Sequence, residues 1–372
     1  MTTFDISVEQ LFDGESLLSN QTLRVENGVI KSLGKNQSDE HCVAATLIPG
    51  FIDVQVNGGG GCLFNQKPNL ESIQLIGKAH QKFGTTGWLP TLVTDSFEKM
   101  SLAADAIALA IKNREPGVLG IHFEGPYLSS AKKGVHSEEL IRSICDKEIA
   151  LLTRADLGQV VITVAPENIS NAQIKKLVSR NVIVCLGHSD ATFEQTNQAL
   201  KAGATGFTHL FNAMSAFTSR EPGMVGAALL DEKSYAGIIL DGIHVHPQTA
   251  YLASKQKKNL ILVTDAMPPV GSRATEFDFF GQKINRCGDR LTDQNGRLAG
   301  SSLDMLSAVN NASQMLQLNW FDAVNLASKK PAEFLGLNER YGTLKKGAAA
   351  SMLLLDENKK IISSWIDGIK II

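Results

Sequence analysis

Eight histidines stand in this 372-residue chain, and five of them sit in short segments that pass from apolar to ionisable residues. These segments read "HFEGP" (His122, Glu124), "LGHSD" (His188), "THLFN" (His209, Asn212) and "DGIHVH" (Asp241, His244, His246). Two more end in the same way without histidine: "FIDVQVN", with Asp53, Gln55 and Asn57, and "VTDA", with Asp265. Two imidazoles and a carboxylate make a catalytic metal shell that leaves a position for water. An ion held so polarises a carbonyl and lowers the pKa of water to about 7, and a separate carboxylate must then move protons. Metal-assisted hydrolysis is therefore the chemistry these residue types suit, with Glu124, His188 and His209 as ligands and Asp265 as proton carrier. The bland readings stand beside it. Glu124 can pair with a lysine, His188 and His209 can be satisfied core residues, and Asp265 can cap a helix. His244 and His246 also alternate onto one face of an extended segment, the geometry of a metal pair.

The elements that must position these residues alternate. Strands are expected near 47–57, 84–94, 117–126, 158–167, 181–189, 204–213, 234–245 and 259–267. Most gaps hold helix-compatible stretches such as "LESIQLIGKAHQKF", "SFEKMSLAADAIALAIKN" and "NAQIKKLVSR". Strand–helix alternation means a parallel sheet, and eight such units within about 220 residues predict a closed (β/α)8 barrel. In a barrel the C-terminal strand ends share one mouth, so the polar ends meet there. Residues 273–298 break the alternation and read as hairpins inserted before a helix starting near Ser301. Both chain ends read as short strands, with Asn27-Gly28 and Asp367-Gly368 as two-residue hairpin signals. The expected organisation is a small β-sandwich-like module from 1–46 and 338–372, and a barrel from 47–337.

Several residues carry weaker signals. His122 shares a face with Glu124 and suits support of a metal ligand or packing about equally. Gly58–Gly61 can cradle phosphate through backbone N–H groups, but a flexible loop is the expectation. Cys62 near the mouth reads as a small packed residue, Arg220 alone as a solvated loop residue, and His41 and His80 have no evident role.

Bulk properties exclude some classes. Lysine and arginine (36) nearly balance aspartate and glutamate (38), which argues against a nucleic-acid or membrane-surface protein. No apolar run approaches the roughly 18 residues of a membrane span, and Met1–Gln10 lacks the apolar core of a signal peptide. Five scattered cysteines without a CxxC pair suit a reducing, cytoplasmic setting.

In "PGFIDVQVNGGGG", "HFEGPYLSSAKKGVH", "LGHSDAT", "THLFNAM", "SREPGMVGA", "DGIHV", "LVTDAMPP" and "LAGSSLDM" the chain resembles the amidohydrolase superfamily and, within it, the N-acetylglucosamine-6-phosphate deacetylases. The resemblance runs through nearly the whole chain, with eight tags in matching order. It implies hydrolysis of the acetamide of N-acetylglucosamine 6-phosphate to glucosamine 6-phosphate and acetate. It implies Glu124, His188 and His209 as metal ligands, Asp265 as general base and acid, and His136 polarising the amide carbonyl. It further implies phosphate contacts from His244 and from Arg220 of a neighbouring subunit in a homodimer. Sugar and backbone contacts are implied for Val135, Asn212, Ala213, Asp241 and Leu298-Ala299-Gly300. Many relatives carry His-x-His on the first strand to hold a second ion; Gln55 and Asn57 stand there instead. Amides are poor zinc ligands, so one divalent ion per subunit is expected, zinc first, with iron or cobalt as alternatives. The rival readings are the galacto epimer of the substrate, another amidohydrolase, and a non-catalytic barrel scaffold. Cyclic amide hydrolases often use a carboxylated lysine on the fourth strand, and "GQVVITVAPE" has none.

Overall fold

A computed structural model describes residues 3–36 and 42–372; His41 lies outside them. All eight expected barrel strands are present: Phe51–Val56, Thr85–Val93, Gly120–Glu124, Gln159–Val164, Val182–Leu186, Gly206–Phe207, Tyr235–Ile238 and Leu260–Leu262. They pair in parallel in chain order. The ring closes between first and last at its C-terminal end, where Val56 bridges Ala266, Asp265 N donates to Gln55 O (3.0 Å) and Asn57 N to Ala266 O (3.0 Å). Asp53 strengthens this seam by accepting hydrogen bonds from Thr264 Oγ1 and Gln55 N.

Most strands are buried along their whole length, as expected of a parallel sheet covered by helices. The helices start where the sequence places caps. Asn69, Ser96, Ser170 and Thr192 each accept a backbone N–H of the first turn, the last two within full capping boxes. The helix expected near Ser301 begins at Met305, because Asp304 takes the capping role.

The strands are shorter than the apolar runs suggest. The expected 47–57 strand is two elements joined at Gly50: Val43–Pro49 belongs to the terminal module, Phe51–Val56 to the barrel. The seventh strand ends at Ile238, so Asp241, His244 and His246 lie on the loop beyond it. The inserted segment forms a three-stranded antiparallel sheet, Glu276–Phe279, Gln282–Cys287 and Arg290–Thr292, seated on the mouth through Phe279, Ile284 and Leu291.

Both termini build one seven-stranded sheet around a core that includes Val8, Leu23, Leu47, Met352 and Trp365. Its edge strand Val29–Lys35 turns back to bridge Ala349, giving the sandwich-like form. Asn27 and Gly28 (φ 52° and 80°) make the predicted left-handed turn, as do Asp367 and Gly368 (47° and 76°). The two turns touch, and a Cβ on Gly28 would meet Asp367 O at 2.4 Å. Gly28→Ala is expected to destabilise the protein by about 2 kcal/mol through this clash and the positive φ, measured as a lower midpoint in urea unfolding.

Candidate active site

Glu124 is the last residue of the third strand, and its carboxylate points into the barrel mouth. The chain must then turn sharply at Gly125 (φ +88°), where a Cβ would lie 2.3 Å from Thr94 Oγ1. His188, His209 and Asp265 follow strands five, six and eight, and all three adopt left-handed backbone, with φ of 47°, 34° and 52°. Non-glycine residues seldom take this conformation, and it concentrates at functional sites, where surrounding structure enforces it. Here the left-handed turn follows each of these strands at the residue whose side chain enters the mouth.

The three side chains converge. Glu124 Oε1 lies 3.1 Å from His188 Nε2 and 2.9 Å from His209 Nε2, and the two Nε2 atoms are 3.0 Å apart. His188 Nδ1 donates to Lys132 O (2.9 Å), a pure acceptor, so its Nε2 presents a lone pair. Burial disfavours charge on Glu124, yet the two imidazoles facing it hold its pKa well below the usual range. Ligands of a tetrahedral ion at ~2.0–2.1 Å stand roughly 3.3 Å from one another. A carboxylate and two imidazole nitrogens about 3 Å apart, all buried, fit a small divalent cation. Among the described residues this is the one group of three such side chains with ligand atoms within 4.8 Å.

Asp265 completes the mouth. Its Oδ1 accepts from Asn57 Nδ2 (2.6 Å) and Gln55 Nε2 (3.1 Å), and Gln55 Nε2 also reaches Glu124 Oε1 (3.2 Å). The amides at the His-x-His positions thus bind the two carboxylates directly. Burial, reinforced by the negative charge of Glu124, pushes the Asp265 pKa up to about 6. His136 packs its ring 4.4 Å from that of His188 and bonds Thr94 Oγ1 through Nδ1 (2.8 Å). Burial pushes its pKa down to about 3, so the ring is neutral.

One cavity joins these groups. Its wall includes Asn57, Glu124, Val135, His136, His188, His209, Asn212, Ala213, His244, Asp265, Leu298 and Gly300. Three residues expected at the substrate lie off this wall. Asp241 spends its carboxylate on His244 Nδ1 (2.6 Å) and the backbone N–H groups of Ile243 and His244, so it orients the imidazole instead. Ala299 is fully buried, and Arg220 is exposed on the loop after strand six.

The His244/His246 pair dissolves. His246 is the exposed N-cap of helix Pro247–Gln256, accepting Gln248 N at 3.2 Å, while His244 faces the cavity. His122 is a satisfied core residue, donating to Val54 O and bonding Thr163 Oγ1. Gly58–Gly61 is neither a flexible loop nor a phosphate cradle. It pairs with Cys62–Leu63, and its N–H groups go to Ala266, Val270 and Pro268 carbonyls. His80 holds the same turn through Gly58 O (2.9 Å).

Sequence reasoning missed the apolar half of the cavity: Val93, Ile239, Met267 and Phe279. The first three adjoin strand ends and were accessible to the strand-end rule. Phe279 comes from the inserted sheet, for which no sequence signal indicates the direction of folding.

Comparison with known proteins bears on this geometry. Residues 46–370 match the model of the amidohydrolase family. The chain is 48% identical to the N-acetylgalactosamine-6-phosphate deacetylase of Shewanella sp. (strain ANA-3), covering 95% of this chain and 92% of that one. It is 35% identical to the N-acetylglucosamine-6-phosphate deacetylase of Haemophilus influenzae (strain ATCC 51907 / DSM 11121 / KW20 / Rd), covering 87% and 85%. It superposes on the crystal structure of the N-acetylglucosamine-6-phosphate deacetylase from Pasteurella multocida with a TM-score of 0.94, at 32% identity, covering 99% and 100%.

Proposed function

The chain belongs to the amidohydrolase family, and from that premise we propose that it hydrolyses the acetamide of N-acetylglucosamine 6-phosphate to glucosamine 6-phosphate and acetate. The observation that carries the reading is the buried Glu124–His188–His209 trio with Asp265 beside it on one cavity wall. The trio would hold one divalent ion, zinc first with iron or cobalt as alternatives; Gln55 and Asn57 argue against a second. Such an ion supplies Lewis acidity to the amide carbonyl and to the attacking water.

The side chains do the rest. Asp265 Oδ1 is occupied by Gln55 and Asn57, so Oδ2 takes the proton from water and returns it to the leaving amine nitrogen. A base poised near its working pH suits both transfers. His136 Nε2–H donates to the carbonyl oxygen as negative charge develops there. His244, oriented by Asp241, presents Nε2 to the 6-phosphate. Val135, Asn212, Ala213, Leu298 and Gly300 shape the sugar site, with Ala299 supporting the turn from behind.

The second reading keeps the chemistry and changes the sugar to the galacto epimer, and the 48% relative favours it. Turnover on both sugar phosphates and on their unphosphorylated forms decides between them. Higher kcat/KM on the gluco phosphate supports the first reading, preference for the galacto phosphate the second, and no acetate from either sinks both.

We infer a homodimer in which Arg220 reaches the phosphate of the neighbouring site. In support, Arg220 shares an exposed loop with Phe217, whose side chain is 64% exposed, a large apolar residue suited to burial against a second copy. Arg220→Ala is expected to raise KM for the phosphorylated sugar about tenfold or more, a lost charge-assisted hydrogen bond being worth ~1.5–3 kcal/mol. An unchanged KM removes the clamp. No described helix is long and apolar enough to cross a membrane. The five free thiols support placing the enzyme in the reducing cytoplasm.

A further inference from the structure

Thr94 follows the second barrel strand and is almost fully buried. Its hydroxyl lies 2.8 Å from His136 Nδ1 and 3.3 Å from the carbonyl oxygen of Glu124. A neutral imidazole has one N–H, so the hydroxyl decides which nitrogen carries it. Were the hydroxyl proton given to Glu124 O, His136 Nδ1 would have to donate to Thr94. Nε2 would then turn a bare lone pair toward the cavity and could not donate to a carbonyl. Hydrogen bonds from hydroxyl to oxygen centre on about 2.7–2.8 Å and weaken beyond about 3.0 Å. The 3.3 Å contact is therefore the weaker claim on that proton, and the 2.8 Å contact the stronger. Gly125 shows the same closeness from the other side, since any Cβ there would strike Thr94 Oγ1.

We propose that Thr94 is a positioning residue that donates its hydroxyl proton to His136 Nδ1 and so fixes the Nε2–H tautomer that meets the substrate carbonyl. The substrate side of this inference rests on the deacetylase reading; the tautomer does not. No covalent step is involved, and Thr94 touches neither the reacting atoms nor the metal ligands' coordinating atoms.

The test uses the zinc-loaded, full-length enzyme with 15N-labelled histidine. Long-range 1H–15N correlation reports the tautomer of each ring, and His136→Gln assigns the His136 signals by their loss. The wild type is expected to show His136 neutral and protonated at Nε2. Thr94→Val is expected to shift His136 toward the Nδ1–H form and to lower kcat roughly tenfold, a fraction of the 10²–10³ that loss of a whole oxyanion donor costs, with KM little changed. Thr94→Ser, which keeps the hydroxyl, is expected to restore both tautomer and kcat. An Nδ1–H signature in the wild type overturns the proposal, as does a folded Thr94→Val enzyme with kcat within twofold of wild type. Equal loss in Thr94→Ser and Thr94→Val assigns the effect to the methyl's packing and overturns it too. If no N-acetyl amino sugar phosphate is turned over, the deacetylase reading fails, while the wild-type tautomer signature still decides the role of Thr94.

Discussion

Asp265→Asn is expected to lower kcat about 10³-fold while leaving the metal content at its wild-type value. The substitution preserves size and leaves an oxygen for the amides of Gln55 and Asn57, so the fold and the ligand trio remain. What it removes is the group that takes and returns a proton, and a positioned acid–base group is worth 10²–10⁴ in rate. KM should move little, because the ground-state contacts of the sugar lie elsewhere on the wall. Steady-state kinetics paired with elemental analysis gives the answer. Near-normal turnover with metal retained would mean that another group carries the proton.

The second large effect is expected from His209→Ala. Its Nε2 stands 2.9 Å from Glu124 and 3.0 Å from His188, so its loss leaves two ligands where three converge. The variant should purify without stoichiometric metal and without measurable deacetylation. It should also lose the stabilisation that the wild type gains from zinc, about 4 kcal/mol where free ion stands at 1,000 times its Kd. Thermal unfolding of chelator-treated protein, with and without added zinc, measures this. A variant still stabilised by zinc as strongly as the wild type would place the ion elsewhere, and His244 would become the residue to examine.

Much of this site was legible in the chain because a barrel converts sequence position into spatial position. Each strand ends at the mouth, so polar residues closing apolar runs are brought together whatever their separation. Glu124, His188, His209 and Asp265, 141 residues apart from first to last by their numbers, meet for that reason. Alternation failed at His244–Val245–His246, because the strand stops at Ile238 and the chain turns before the two rings can share a face. Pattern alone could not choose between that pair and the trio. The family resemblance made the choice, and the geometry accords with it. The left-handed backbone of His188, His209 and Asp265 was invisible, since nothing in their residue types asks for positive φ. Asp241 was placed on the substrate by resemblance, where its carboxylate instead holds His244. The glycine run looked mobile by composition, yet carbonyls from the segment after the eighth strand pin it. Such contacts depend on tertiary neighbours that no local window contains.

The central claim is one ion, held by Glu124, His188 and His209, serving amide hydrolysis with Asp265. The most direct measurement is acetate release from N-acetylglucosamine 6-phosphate as zinc is titrated into metal-free enzyme. Activity is predicted to rise linearly and break sharply at one equivalent per subunit. A break at two equivalents, or acetate release at full rate before any zinc is added, would contradict the account.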